Sequence, residues 1–482
     1  MYRMNVLPQD DWKNSPMMMP GMEDMLKSLE AGTGVDAASF TGGRAMTYES
    51  LDSMLQSVTL AADDHAFWRM LPKRAIHATV DQYNRRTSYA GSRWGFAAAE
   101  SANPAEHMAE IARAYATVKF YRDLRSVSDV SMMVNMTQDP LVEEQQAATL
   151  AILETLSPDL YWGDSAALPY RVDGMYKHLK GNCPVVDAKG DTLSSRVDFE
   201  ELAALVRNAG GRLTHTLMNP LLQADMSTMY ESAERITMLQ REQVGSKDPM
   251  WYAGSALGGV ITAQGVIAFE GDPFNRVGWQ APVSGEGPNP PSAITSVTGA
   301  AAGTGGTTPT GAYFYKVCAV AEGTLINGQS APVASVAVNV TLGQKVTLTI
   351  TRADATATGF FVYRSAIDAA DETDCRYIGA VATGGATTSF VDDGSVVPGT
   401  ANMLLLDMRQ NSTARPVQWS QLLPMTMKKL AETGPTRPFL MSLIGTLRVS
   451  APEWCAMVTN ILPDKVKKGY GTIPAWNPLG VA

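Results

Sequence analysis

Residues 139–166 read DPLVEEQQAATLAILETLSPDLYWGDSA and predict a long, apolar, central helix. Asp139 is a good N-cap, Pro140 suits the first helical position, and Glu143 lies where the positive end of the helix dipole favours a carboxylate. Ser157-Pro158 predicts the end of the helix, because a residue before proline disfavours the helical conformation. Two adjacent faces carry the side chains expected to pack: Leu141, Gln145, Ala148 and Ile152 on one, and Val142, Thr149, Leu153 and Leu156 on the other.

The sequence before this helix begins with a segment that has no regular period. Residues 1–46 mix Pro, Gly, Asn and Asp with many methionines, whose flexibility suits irregular grooves on a partner. We interpret residues 1–46 as an arm that docks on neighbouring molecules, with a frayed terminus as the alternative. Residues 47–74 show helical spacing at Leu51, Met54, Leu55 and Val58, which predicts a helix region that Pro72 ends.

Residues 75–130 predict a long β-hairpin. Partial alternation and β-branched or aromatic residues indicate strands over 75–91 and 109–131, separated by a Gly-, Ala- and Pro-rich tip. Ten basic and five acidic residues lie between His65 and Arg125. A two-stranded ribbon is marginal alone in water, so we expect a partner surface on another copy, with packing on its own subunit as the alternative. The candidate inter-subunit contacts are Arg85, Arg86, Arg93, Arg113 and Lys119.

Residues 161–285 predict mixed α/β structure. Asp198 and Glu201 resemble a capping box at the start of FEELAALVRNA, and Gly210-Gly211 predicts the end of that helix. Short apolar strands, such as GVITAQGVIAFEG at 259–271, are expected around it.

Residues 286–402 predict an all-β sandwich inserted between α/β segments. This stretch is rich in Thr, Ala, Gly and Val, has few charges, and contains strands at sandwich-like spacing. Cys318 and Cys375 lie in it, and free thiols are expected, with a disulfide as the alternative. Alternation places Cys318 on the face opposite to Tyr313, Tyr315, Val317 and Ala319.

Residues 403–482 return to mixed composition. A helix is predicted over QLLPMTMKKLAET at 421–433, and a strand over FLMSLIGTLRVSAPEW at 439–454.

The order of these segments resembles the major capsid proteins of tailed bacteriophages, which have the HK97-like fold. Three stretches carry the resemblance, and together the resemblance covers most of the chain outside 286–402. They are 139–166 with VDGMYKHL at 172–179, GDTLSSRVDFEELAALVRNAGGRLTHTLMNP at 190–220, and RPFLMSLIGTLRVSAPEWCAMVTNI at 437–461. Members of this family share shape more than sequence, so the ordered set of elements is what counts.

The resemblance implies an α+β chain with an N-arm, an extended hairpin loop, a spine helix, a P-domain and an A-domain. AYFYKVCAVAEGTLINGQSAPVA, at 312–334, is similar to the Tyr-rich strand and turn of fibronectin type III or immunoglobulin-like modules. The implied segments are 1–46 (N-arm), 47–74 (N-terminal helix region), 75–130 (extended hairpin and start of the P-domain), 131–160 (spine helix), 161–285 (A-domain and connecting P-domain segments), 286–402 (inserted β-sandwich) and 403–482 (return to the A- and P-domains and C-terminal strand).

The function implied by the resemblance is self-assembly, through hexamers and pentamers, into the icosahedral head shell that encloses a phage genome. No enzymatic activity, catalytic residue, cofactor or metal is implied. The implied partners are further copies, a separate scaffolding protein, a possible decoration protein, and packaged DNA that faces the inner surface without sequence-specific binding. The implied location is the virion, after assembly in the host cytoplasm.

Composition excludes several other classes of protein. The net charge of −9 and the pI near 5.2 argue against a protein that coats nucleic acid. The cysteines, Cys183, Cys318, Cys375 and Cys455, form no zinc signature or dense disulfide framework. We find no signal peptide and no apolar run long enough to span a membrane, so no membrane partner is expected.

A search for catalytic motifs finds no convincing site. The histidines are not paired at metal-ligand spacing, and no GxSxG elbow, P-loop or dinucleotide-binding glycine motif occurs. Asp63-Asp64-His65 is interpreted as a solvated charged turn. The rival functions are a tail or baseplate protein carrying the same sandwich, and a carbohydrate-active enzyme with an accessory fibronectin-like module. The enzyme would need a catalytic carboxylate pair and usually an export signal.

Overall fold

The structure is a computed structural model, and it describes residues 62–89, 99–101, 103, 106–133, 139–192, 197–233, 258–275, 281–323, 326–410, 415–432, 434–469 and 478. The predicted arm, the predicted helix between 47 and 61, and Arg93 lie outside the described residues.

Strands outnumber helices in the described residues, and the predicted α+β class is confirmed. The helices are α1 Ala66–Met70, α2 Asp129–Met133, α3 Pro140–Trp162, α4 Met175–Leu179, α5 Val197–Asn208, α6 Pro220–Ala233 and α7 Asp464–Lys468. The strands are β1 Lys73–Ala75, β2 Val80–Ser88, β3 Glu110–Thr117, β4 Lys119–Ser128, β5 Val185–Asp187, β6 His215–Met218, β7 Gly259–Thr262, β8 Gly265–Gly271, β9 Glu286–Asn289, β10 Ser296–Ala302, β11 Gly311–Tyr313, β12 Tyr315–Ala321, β13 Asn327–Gln329, β14 Val333–Ala334, β15 Val338–Val340, β16 Lys345–Thr351, β17 Gly359–Arg364, β18 Arg376–Ala382, β19 Thr387–Asp392, β20 Ala401–Leu406, β21 Val417–Lys429, β22 Thr436–Val449 and β23 Ala456–Ile461.

Helix α3 begins as the sequence predicts, because the Asp139 carboxylate accepts a hydrogen bond from the backbone N–H of Leu141 at 2.9 Å. Its predicted end at Ser157-Pro158 is wrong, since the helix continues to Trp162. An interior proline costs about 3 kcal/mol. Leu156 and Leu160 are fully buried on either side of Pro158, and we attribute the continuation of the helix to this packing.

A four-stranded sheet in the order β1-β21-β22-β4 packs against α3. The helix predicted over 421–433 is wrong, because Val417–Lys429 is a strand. It pairs with β22 on one side and with β1 on the other. Pro424 lies where the register shifts between Leu423 and Thr426, a position at which a missing N–H is tolerated. Pairing with distant strands therefore overrides the local pattern.

The strand predicted over 109–131 is divided at the buried Val118. Its first part, β3, pairs with β2 to form the predicted hairpin, whereas its second part, β4, pairs with β22 in the four-stranded sheet. One continuous run of extended chain thus leads from the hairpin into the main sheet.

A six-stranded sheet has the order β5-β23-β20-β6-β8-β7. Helix α5 covers one of its faces with Phe199, Leu202 and Val206, which are all buried. Gly210 has a φ of +91°, which a glycine adopts without strain, and the predicted end of this helix is confirmed.

All the secondary-structure elements that the structure describes between Glu286 and Asp392 are strands. We name residues 286–392 the all-β segment. They form sheets in the orders β10-β16-β19, β18-β17-β12-β13-β9 and β11-β15. The strands on either side of the segment, β8 and β20, both flank β6 in the six-stranded sheet. The predicted alternation is confirmed, because one buried cluster contains Tyr313, Tyr315, Val317 and Ala319.

Cys318 and Cys375 are both buried and both free. The Cys375 thiol lies 3.7 Å from the carbonyl oxygen of Phe314. Phe314 precedes Cys318 by four residues, which corresponds to about 13 Å of extended chain. Cys375, which lies beside Phe314, is therefore too far from Cys318 to form a disulfide with it.

Candidate assembly interface

One face of the β2–β3 hairpin is anchored on the chain's own main sheet. The Tyr83 hydroxyl donates to the Val449 carbonyl at 3.0 Å, and Arg448 lies 4.1 Å above the Tyr83 ring. The buried Asp81 carboxylate accepts from the Ser420 hydroxyl at 2.7 Å and lies 3.6 Å from the Arg448 guanidinium. These contacts fix the base of the hairpin.

The opposite face of the hairpin is exposed and cationic. Ile111 is 61% exposed and Tyr115 is 72% exposed, large values for apolar side chains in an ordered strand. Register and alternation place six side chains on this face, which we name the hairpin outer face, and none of the six is a carboxylate: Gln82, Asn84, Arg86, Ile111, Arg113 and Tyr115.

Two of the five candidate contact residues bind partners within the chain. Arg85 lies 2.7 Å from the Glu453 carboxylate, and the Lys119 ammonium donates to the Pro169 carbonyl at 2.6 Å. Burial also lowers the pKa of Lys119. Arg85 therefore contributes to holding the hairpin on its own subunit, whereas Lys119 joins the start of β4 to the residues that follow α3.

The remaining candidates point elsewhere or lie outside the described residues. Arg113 is exposed on the hairpin outer face, and the Arg86 guanidinium lies 4.9 Å from the centre of the exposed Tyr89 ring. Arg93 is one of the residues that the structure does not describe. All five residues remain predictions as inter-subunit contacts.

A second exposed apolar surface follows directly on β4, and the sequence interpretation missed it. Phe120 and Leu124 are 52% and 64% exposed, and Arg122 lies 5.3 Å from the Phe120 ring. The alternate residues Tyr121 and Val127 are buried on the side of α3. The two-residue period of a strand could have revealed this surface, because it places Phe120 and Leu124 on the face opposite to Tyr121 and Val127.

Helix α3 carries the opposite charge. Residues 139–162 contain five carboxylates and no Lys or Arg. Glu154 is exposed, Glu143 is half-buried, and Glu144 accepts from Arg125 at 2.9 Å. One chain thus presents both a cationic hairpin face and an acidic helix, and such opposite charges would favour one orientation of contact between identical copies.

His65 lies in a buried group of polar side chains, so the prediction of a solvated turn holds for Asp63 and Asp64 and is wrong for the histidine. Both aspartates are exposed, whereas His65 is 1% exposed. A hydrogen bond of 2.7 Å joins its Nδ1 to the Ser157 hydroxyl, and its ring stacks on Phe274 with centroids 4.5 Å apart.

Asp272, which is 1% exposed, completes this group, and the result resembles a Ser–His–Asp triad only in composition. Its carboxylate accepts from the Tyr161 hydroxyl at 2.7 Å and from the backbone N–H groups of Phe67 and Phe274 at 3.1 and 2.8 Å. A nucleophile needs access to substrate, and Ser157 is 2% exposed on a packed helix. We therefore interpret the group as a structural hub that joins α1, α3 and the residues after β8.

The hub predicts a pH dependence of stability. Burial lowers the pKa of His65 below its ordinary 6.5, so the unfolded chain takes up that proton first as the pH falls. The free energy of unfolding should decrease as the pH falls through 6.5 toward the lowered pKa. The His65→Gln variant, which keeps a hydrogen-bonding group for Ser157, should lose this part of the slope in urea titrations between pH 7.5 and 5.5. Equal slopes in the two proteins would contradict the assignment.

Two other kinds of site were sought among the described residues. These residues contain no group of three or more His, Cys, Asp or Glu side chains placed to hold a metal ion. None of their helices is long and apolar enough to cross a membrane.

The chain is similar in sequence to phage proteins, although it matches no protein-family model. A protein of Enterococcus phage phiEF24C, provisionally named major capsid protein, is 24% identical over 467 residues, covering 91% of this chain and 95% of the relative. The major capsid protein of Staphylococcus phage K is 26% identical over 216 residues, covering 42% of this chain and 45% of the relative. These relatives confirm the prediction of a phage major capsid protein.

A solved structure, the capsid of a native GTA particle, is 8% identical in sequence to this chain and superposes on it with a TM-score of 0.45. The match covers 89% of this chain and 100% of that chain. The sequence relative from phage phiEF24C covers both flanks of the all-β segment, because its match spans 91% of the chain.

Proposed function

We propose that this capsid protein self-assembles, through pentamers and hexamers, into an icosahedral head shell with HK97-like subunits. In this proposal the β2–β3 hairpin is the extended loop that reaches a neighbouring copy. The observation that carries the proposal is the exposure of Ile111 and Tyr115 beside the cationic side chains of Arg86 and Arg113, on a hairpin whose other face is anchored.

Apolar burial is expected to contribute more to this contact than ion pairs. Exposed ion pairs contribute about 0–1 kcal/mol each, whereas fully burying a large apolar side chain contributes about 1.5–3 kcal/mol. The cationic residues of the hairpin outer face would chiefly orient it toward an acidic surface such as the exposed side of α3. A closed shell repeats each modest contact many times, which makes the whole assembly stable.

The proposal extends to the domains and partners. Residues 286–402 are proposed as an inserted fibronectin type III or immunoglobulin-like domain, supported by the separate buried cluster of the all-β segment. A separate scaffolding protein is proposed for assembly, a decoration protein for the mature shell, and non-specific DNA contact for its inner surface. Assembly is proposed to occur in the host cytoplasm.

Expression of the full chain in a bacterial host, followed by negative-stain electron microscopy and sedimentation velocity, tests the proposed function. We expect rings of five and six subunits, curved sheets or closed shells as the protein concentration rises. A monomer that persists at high concentration would contradict self-assembly. Flat rings of one size or tubes would instead favour a tail or baseplate role.

A further inference from the structure

A short loop of the main body, residues 163–174, contacts the all-β segment where two glycines allow a close approach. A Cβ atom at Gly359 would lie 2.9 Å from the Ala167 carbonyl oxygen and equally close to a methyl group of Leu168. A Cβ atom at Gly323, whose φ is +78°, would lie 2.5 Å from the Tyr170 ring. Because larger residues would collide at both positions, the loop and the segment are fitted to each other.

Arg171 of this loop bridges the body and the all-β segment. Its Nε lies 2.6 Å from the Glu322 carboxylate, directly after β12, and its Nη1 lies 3.0 Å from the Asp159 carboxylate on α3. The Asp159 and Glu322 side chains are only 2% and 12% exposed, so water screens these pairs weakly. The planar guanidinium holds its donors in a rigid fork, so its Nε and Nη1 bind the two carboxylates in one fixed geometry.

The loop is braced on the body before it meets the segment. The Gly174 N–H donates to the Gly163 carbonyl at 2.8 Å, which closes the loop at its ends. Lys177 binds the carboxylates of Asp164 and Asp173 at 2.7 and 2.6 Å. Arg171 therefore extends from a fixed support, which reduces the entropy lost when the bridge forms.

A second attachment lies where the chain returns from the segment. The Asn460 side chain donates to the Ser395 carbonyl at 2.9 Å and accepts from the Val397 N–H at 3.0 Å. Two separated attachments resist rotation, which a single flexible linker does not.

We infer that Arg171 is a positioning residue that fixes the orientation of the all-β segment on the capsid subunit. The segment is then a rigid part of the subunit rather than a tethered appendage. In a shell it would be held at one defined orientation on every copy. This inference concerns a single subunit and does not depend on the proposed function.

Hydrogen exchange on the full chain tests the inference. In Arg171→Ala, the amides of residues 171–174 should exchange about tenfold faster than in the wild type, because local opening becomes easier. Buried amides of β16 at the centre of the segment should exchange unchanged. Arg171→Lys, which keeps the charge but not the fork, should be intermediate. The matched control is Arg352→Ala, because the side chain of Arg352 makes a local contact with the Ala355 carbonyl.

Electron microscopy gives a second readout if shells form. Density for the all-β segment should be sharp in wild-type shells and smeared in Arg171→Ala shells of the same diameter. Unchanged exchange at 171–174 in Arg171→Ala would overturn the inference, whether or not shells form. Equal loss of protection throughout the body and the segment would also overturn it, by showing a general effect on folding.

Discussion

Replacing three residues of the hairpin outer face, as Ile111→Asp, Arg113→Glu and Tyr115→Asp, is expected to abolish shell assembly while the subunit stays folded. Ile111 and Tyr115 are mostly exposed, so their loss should change the free energy of unfolding by less than about 1 kcal/mol. In a shell, the same substitutions would bury unpaired carboxylates, each costing several kcal/mol. That penalty would recur at every copy of the contact.

Sedimentation velocity and electron microscopy measure the assembly of this triple variant, and urea unfolding measures its stability. A gentler version, Ile111→Thr, Arg113→Gln and Tyr115→Thr, guards against loss of the hairpin itself. It removes the positive charge and the apolar area without introducing any carboxylate, and Thr favours strands.

A matched control places the same chemical changes on another exposed surface of the chain. Val336 and Leu342 of the all-β segment are 85% and 70% exposed. Val336→Asp, Leu342→Asp and Arg352→Glu should leave assembly intact. Normal shells from the hairpin variant, or equal failure of both triple variants, would refute the assignment of the hairpin outer face.

The elements that the sequence predicted correctly are those that local chemistry determines. The cap of α3 requires only Asp139 and its immediate neighbours, and the inward face of β12 requires only alternation. The errors lie where distant partners decide the outcome. β21 is a strand because it pairs with β1 and β22, and Pro158 remains helical where the residues around it are packed.

The candidate interface was predicted only in part, because distant residues decide which side chains of the hairpin bind within the chain. A count of charges identified the hairpin as cationic but could not distinguish its two faces. Alternation alone implies that Arg85 and Arg86 point to opposite sides, so the two could not both serve one flat contact. The partner of Arg85, Glu453, is 368 residues away, and no local pattern reveals it.

We expect Asp272→Ala to lower the free energy of unfolding at pH 7 by about 4 kcal/mol. The substitution leaves three buried donors without their acceptor: the Tyr161 hydroxyl and the N–H groups of Phe67 and Phe274. Asp272→Asn retains one acceptor oxygen and should lose less. Asp63→Ala is the control, because Asp63 is 92% exposed and lies 4.0 Å from Arg69, so its loss should change stability by less than about 0.5 kcal/mol.

The acid side of the stability curve gives an independent check on the same carboxyl group. Burial raises the pKa of Asp272 above its ordinary 3.8, so the folded chain binds this proton more readily than the unfolded chain. Its contribution to stability is fully present below pH 3.8 and is lost as the pH rises through the raised pKa. Asp272→Ala should therefore be less stable than the wild type at pH 7, and should also lack this acid-side gain. If Asp272→Ala lowers the free energy of unfolding at pH 7 by less than about 1 kcal/mol, water replaces the carboxylate as the acceptor. Asp272 would then not be the centre of the hub.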